Sequence, residues 1–187
     1  PKVVHSGVEV IDLTLEGRSA LLFPKVIAAL TLVQQHDPRR WSSITRHLRR
    51  IIVLPAGGER FHQRLNAYLT SGGAIQRSTA EEVALGIVHE ATHARLSAMG
   101  VPYLRHNRAR IERLCVNQEI ECACKLPNAS SLLPRLHDNL NRVWWTDNQL
   151  YQRRVEELRG SGLPEWTLKL HRWLFAPRPG RQRERAR

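Results

Sequence analysis

No stretch of the sequence approaches the roughly 18 to 20 uninterrupted apolar residues that a bilayer-crossing helix needs, so no transmembrane segment is expected. The opening Pro1-Lys2-Val3-Val4-His5 lacks the basic, then apolar, then small pattern of a secretory signal, which points to a cytoplasmic location; an opening on Pro1 leaves room for a Met or a longer leader upstream. Cysteine is sparse: Cys115, Cys122 and Cys124 are all there is. An odd count gathered in one segment is not a disulfide framework. A Cys-x-Cys with a third Cys seven residues earlier is also poor spacing for a structural zinc site, so reduced thiols in or near the core are expected. Aromatic residues make up only 6% of the chain. The basic pairs Arg39-Arg40 and Arg49-Arg50 are not interleaved with them in the manner of a base-stacking surface.

Acidic residues are also few: 17 Asp and Glu stand against 29 Lys and Arg, a net charge of +12. Part of that excess is a tail, Pro177 to Arg187, with five Arg and one Glu. It is expected to be disordered and able to touch nucleic acid or another anionic surface. Charge of this kind creates a field and biases partners but performs no reaction. With 187 residues, 42% of them hydrophobic, the chain has the size and composition of one globular domain, expected over residues 1–176 with the basic tail at 177–187.

The pattern along the chain is α+β, a small N-terminal sheet packed on an active helix, followed by a helical C-terminal half. Val8 to Leu15 alternates like a strand or extended arm. Pro24 opens a helical segment to Gln35 with Val26, Leu30 and Val33 on one face. Asp37 is placed to cap a helix running through Arg50, and Ile51 to Leu54 reads as a buried strand. Ala67 to Gln76, with its paired glycines, reads as a hairpin or an edge strand. A capping box at Ser78/Glu81 or Thr79/Glu82 starts a helix that runs to Met99 and stops at Gly100. Further helices are expected from Arg108 to Lys125, from Ser130 or Ser131 to Arg159, and from Pro164, the last with a stripe of Trp166, Leu170, Trp173 and Leu174.

The chemistry is concentrated in His89-Glu90-Ala91-Thr92-His93. Two histidines four apart share one helix face, so both imidazoles can reach a single ion. Zinc suits them, since neutral imidazole nitrogens bind it and its filled shell imposes no rigid geometry. Glu90 lies about 100° around the helix from His89, where a general base for metal-activated water has to be. Gly86 and Ser97 keep the ligand side small, and Ile87, Ala91, Ala94 and Ala98 form a stripe for close packing.

The segment Val88 to Leu96 resembles the active-site helix of the zincin metallopeptidases. The subgroup follows from what is missing: a metzincin would need Gly at 96 and His at 99, where this chain has Leu96 and Met99, and the downstream Gly-Thr-x-Asp of an aspzincin is absent. The remaining type is the gluzincin, whose third ligand is a Glu on the next helix. The resemblance covers about residues 50 to 125. It implies one zinc ion held by His89, His93 and a Glu. Glu112, 19 positions after His93 and followed at the third place by the small Cys115, is preferred. Glu119, two turns further along the same face, is the alternative ligand or the partner of a ligating His. Glu121 points elsewhere and is expected to be solvated. The implied activity is hydrolysis of a peptide or protein substrate, with Glu90 taking a proton from water and returning it to the leaving amine. Tyr103 and His106, in the linker between the ligand helices, are candidates to stabilise the oxyanion. By the same resemblance, Ala67 to Gln76 would be the edge along which the substrate lies. The alternative is a basic nucleic-acid-binding or regulatory module with a structural or vestigial zinc site; a purely structural site would not need the Glu of the motif.

Overall fold

The computed structural model describes residues 1–14, 19–141 and, further on, 155, 156, 159, 165, 166, 168 and 169. The chain divides into two compact units, Pro1–Arg142 and Val143–Arg187. Most of the expected continuation of a helix to Arg159, most of the stripe after Pro164 and the basic stretch 177–187 lie outside the described residues. All the elements below belong to the first unit, which is α+β with a mixed five-stranded sheet and six α-helices among the described residues.

The chain opens with a hairpin of β1 (Lys2–His5) and β2 (Val8–Asp12), with Ser6 and Gly7 both at positive φ in the two-residue turn, as the right-handed twist of a tight hairpin demands. Asp12 ends the second strand and accepts from the Thr14 amide at 2.7 Å and the Thr14 hydroxyl at 2.6 Å. Two helices, α1 (Ser19–His36) and α2 (Pro38–His47), carry the chain across to β3 (Arg50–Leu54), which pairs parallel to β2. A parallel pair requires such a long crossover. A short strand β4 (Arg60–His62) follows, then β5 (Ala67–Ser71), and the sheet order is β1-β2-β3-β5-β4 with β5 parallel to β3 and β4 antiparallel to β5.

Three expectations change here. The first helix extends back to Ser19, placing Pro24 inside it; the missing amide donor costs one helical bond there, while Leu22, one turn before Val26, becomes fully buried. The second stops at His47, because Leu48 turns extended and Arg50 is drawn into the sheet, where its guanidinium bonds to Glu9 at 2.8 Å. The third concerns Ala67 to Gln76, which is no edge: β5 lies between β3 and β4, and the glycines start a helix, α3 (Gly72–Arg77), capped by the Ser71 hydroxyl accepting from the Ala74 amide. Gly72 serves close approach rather than a turn, since a β-carbon there would meet Thr14 Cγ2 at 3.2 Å and Leu22 Cδ1 at 3.3 Å.

The helix α4 (Ala80–Ala98) is the centre of the unit and packs against α1, α2 and α5 (Arg108–Ala123). Of the two possible capping boxes, Thr79/Glu82 forms: the Thr79 hydroxyl accepts from the Glu82 amide, and the Glu82 carboxylate accepts from the Thr79 amide. Gly100, at φ +75, takes the left-handed turn that ends the segment. Ile87, Ala91 and Ala94 are buried in the main core with Val26, Leu30 and Val33 of α1 and the inward row Val8, Val10, Ile51, Val53 and Tyr68 of the sheet. Ala98, at the helix end, is exposed. Gly86 admits the sheet: a β-carbon there would lie 3.2 Å from the Tyr68 hydroxyl, which donates to Glu59. This close approach explains a glycine inside a helix, where it costs about 1 kcal/mol against alanine. A 3₁₀ turn at Ser130–Leu132, without a serine side-chain cap, leads into α6 (Leu133–Asn141). No helix among the described residues is long and apolar enough to cross a membrane.

Candidate metal centre

His89 and His93 project from α4 toward α5, and the nine residues between Ala98 and Arg108 form a turn-rich linker that reverses the chain so that the helices lie side by side. One helical turn separates the two imidazoles, whose Nε2 atoms face each other at 3.2 Å with ring centroids 5.0 Å apart. Glu112 faces both: one carboxylate oxygen is 3.2 Å from His89 Nε2 and the other is 3.5 Å from His93 Nε2. Glu119, two turns along α5, does something different, accepting a hydrogen bond from His89 Nδ1 at 2.5 Å. That bond orients the His89 ring and leaves its Nε2 directed at the cluster.

The cluster is buried and strongly coupled. Glu112 and Glu90 are each only 6% exposed. Burial works against the charge on Glu112, but hydrogen bonds from His89 and His93 outweigh it and hold the carboxyl well below the usual range. Burial likewise disfavours charged imidazoles, yet Glu112 and Glu119 raise His89 well above the ordinary histidine value, and the Cys115 sulfur and Glu112 raise His93 to about 10. Glu90 shifts the other way, upward, chiefly through burial, with the two histidines partly opposing the shift. Its Oε2 is buried without a hydrogen-bond partner. The surroundings thus call for positive charge next to three carboxylates, a demand met by protons on the histidines or by a cation between them.

Cys115 is the residue that sequence reasoning placed in the core without a role. It is fully buried, as expected of a reduced thiol, and its sulfur also belongs to a possible metal-holding group with His89 and His93, whose ligand atoms lie within 4.8 Å of one another. The signal for it was present: Cys115 follows Glu112 by three residues and so shares its helix face. Of the other two thiols, Cys122 is buried and Cys124 exposed.

Tyr103 comes to the site from the linker. Its hydroxyl donates to Glu112, its ring lies edge-on to His93 with centroids 5.3 Å apart, and Arg108 stacks over it at 5.5 Å. Burial and the Glu112 carboxylate together push its phenol well above the usual range. His106, in the same linker, is exposed and has no hydrogen bond to the cluster among the described residues. Glu121 is largely solvated, as its position predicts, but also ion-paired to Arg40 at 2.5 Å. Comparison with protein-family models, curated sequences and solved structures gives no match, and the site is therefore read from its own geometry.

Proposed function

We propose that the chain is a zinc-dependent metallopeptidase of the gluzincin type, with His89, His93 and Glu112 as ligands and Glu90 as general base. The observation that carries this reading is the donor spacing: the two Nε2 atoms lie 3.2 Å apart, and each meets a different oxygen of Glu112, at 3.2 Å from His89 and 3.5 Å from His93. Tetrahedral zinc with bonds of roughly 2.0 to 2.1 Å has donor separations of about 3.3 to 3.4 Å. Two nitrogens with a carboxylate oxygen beside each have spacings close to that value. Glu119 then acts as the acceptor that fixes the His89 tautomer.

Zinc held there would supply Lewis acidity, lowering the pKa of water at its open position to about 7 and polarising a carbonyl oxygen. The chain's own groups do the rest. Glu90, with an unsatisfied buried oxygen and a pKa raised by burial, is a carboxylate suited to taking a proton from water and passing it to the leaving amine nitrogen as the C–N bond breaks. Tyr103 stands beside Glu112 with a hydroxyl that could turn toward a developing oxyanion. The strand available to an extended substrate is β4, at the sheet edge beside α4, in place of the stretch Ala67 to Gln76.

A second reading rests on Cys115: a His89–His93–Cys115 set would hold a metal as a buried structural clip, compatible with a basic nucleic-acid-binding or regulatory module. Glu112 is preferred because its two oxygens lie 3.2 and 3.5 Å from the two nitrogens. The deciding experiment measures metal content and hydrolysis of a peptide library by Glu90→Gln. A peptidase keeps one zinc per chain and loses turnover by about three orders of magnitude or more. Undiminished hydrolysis, or a wild type that neither holds metal nor cleaves any peptide, would refute the assignment.

A further inference from the structure

We propose that the cleft between α2, α4 and α5 binds a small oxyanion of the phosphate class. The cleft has a volume of about 260 Å³ and is separate from the histidine cluster, although α4 and α5 form walls of both. From α2 it is lined by Arg39, Arg40 and Ser43, from α4 by Arg95, and from α5 by Gln118 and Glu121. Three guanidinium groups therefore face one carboxylate.

The pairing within the cleft divides these cations into two kinds. Arg40 is structural: its side chain is 8% exposed, and it bonds to Asp37, to Glu121 at 2.5 Å and to Gln118 Oε1 at 3.4 Å. Glu121 is thereby neutralised. Arg39 and Arg95 have no ion pair or hydrogen bond among the described residues, so two positive charges in the wall are left without a counter-charge. Gln118, whose carbonyl is held by Arg40, keeps its amide N–H groups as donors, and the Ser43 hydroxyl is a further donor. Beside the apolar Ile44, Val88 and Ala91, the polar part of the wall offers guanidinium, amide and hydroxyl donors that suit an acceptor-only ligand, and a tetrahedral oxyanion can take two-pronged bonds from each arginine. The volume, just below the roughly 300 Å³ at which ligand pockets commonly begin, suits a small occupant such as inorganic phosphate or a single phosphomonoester head.

The experiment titrates inorganic phosphate into the full chain by calorimetry at fixed ionic strength, with vesicles containing phosphatidic acid in a parallel arm. Wild type is expected to bind one phosphate per chain. Arg39→Gln/Arg95→Gln should weaken that binding about ten- to hundredfold, the loss of charge-assisted bonds, with Arg95→Gln alone giving a smaller loss in the same direction. The control Arg49→Gln/Arg64→Gln removes equal charge at exposed positions away from the cleft and should leave binding unchanged. Equal weakening in both double variants would reduce the effect to net charge and overturn the proposal, as would binding to the vesicles without binding of free phosphate. Metal content is expected to be the same in all four proteins, so failure here leaves the reading of the histidine cluster standing.

Discussion

Glu119 offers the sharpest test of how the centre is built, because its role differs from that of Glu112 although both carboxylates touch His89. Glu119 reaches Nδ1 at 2.5 Å, and Glu112 reaches Nε2 at 3.2 Å. An imidazole has one nitrogen for the metal and one for a hydrogen-bond partner, so the two carboxylates cannot exchange roles without turning the ring. Replacing Glu119 with Gln removes a charge-assisted bond worth about 1.5 to 3 kcal/mol but no ligand. Zinc stoichiometry should therefore stay at one, while affinity falls by about ten- to hundredfold, the range typical of such orienting partners. Glu112→Gln removes the proposed charged ligand and should cost considerably more. Cys115→Ser should cost little, since the sulfur is not among the three proposed ligands. Competition with a chromophoric chelator measures all three dissociation constants. If Glu119→Gln and Glu112→Gln weaken zinc equally, or if Cys115→Ser weakens it most, the division between ligand and orienting residue is wrong.

Three further outcomes follow from other parts of the structure. Tyr103→Phe deletes a hydroxyl that donates to Glu112 and should weaken zinc by about two- to tenfold, whereas His106→Ala should leave it unchanged by the same competition assay. Asp37 caps α2, is only 1% exposed and is held below the usual carboxyl value by Lys125, at 3.0 Å, and Arg40, despite the opposing effect of burial. Its ionised form therefore stabilises the fold above the unfolded pKa of about 3.9, and that stability is lost as pH falls through the lower folded value; Asp37→Asn, which keeps the cap, should be about 3 kcal/mol less stable in urea at pH 7, with the gap closing in acid. Ile87→Ala, in the fully buried stripe of α4, should lower stability by about 2 to 5 kcal/mol in the same urea titration, and a loss under 1 kcal/mol would mean that this helix is not the centre of the core.

What was legible in the sequence is what local chemistry controls. The Thr79/Glu82 box, the 3.6-residue period of Ile87, Ala91 and Ala94, and Gly100 at the stop define α4 from its own residues, and the histidine spacing rides on that helix. Asp37 likewise caps a helix wherever it is placed before a proline. The strands β1 and β4 were missed because each is only three or four residues long and is held by pairing with a neighbouring strand, β2 or β5, rather than by its own pattern. Gly72-Gly73 misled for the same reason: their turn chemistry is local, whereas the contacts with Thr14 and Leu22 that require Gly72 are not. Spacing ranked Glu112 ahead of Glu119 but left Glu119 as the alternative, since both lie on one face of α5. What separates them in space is which nitrogen of His89 each one meets, and that depends on how α5 is set against α4.

The charge arrangement links these observations. A chain of net charge +12 gathers three carboxylates, Glu90, Glu112 and Glu119, around two imidazoles at a largely buried point between two helices. Close packing alone gives no reason for such a grouping, since apolar side chains of similar volume would fill the space at lower electrostatic cost. Nor does hydrogen bonding complete it, because Glu90 keeps a buried oxygen without a partner, while Glu112 and Glu119 each bond to a histidine and Glu112 also accepts from Tyr103. The unsatisfied group is the one that the proposed chemistry needs free to accept a proton. The satisfied groups are those that the same chemistry needs immobile. Functional sites are where proteins carry local costs of this kind, and the division between fixed ligands and an unpaired base makes hydrolysis a better account of the cluster than a structural clip.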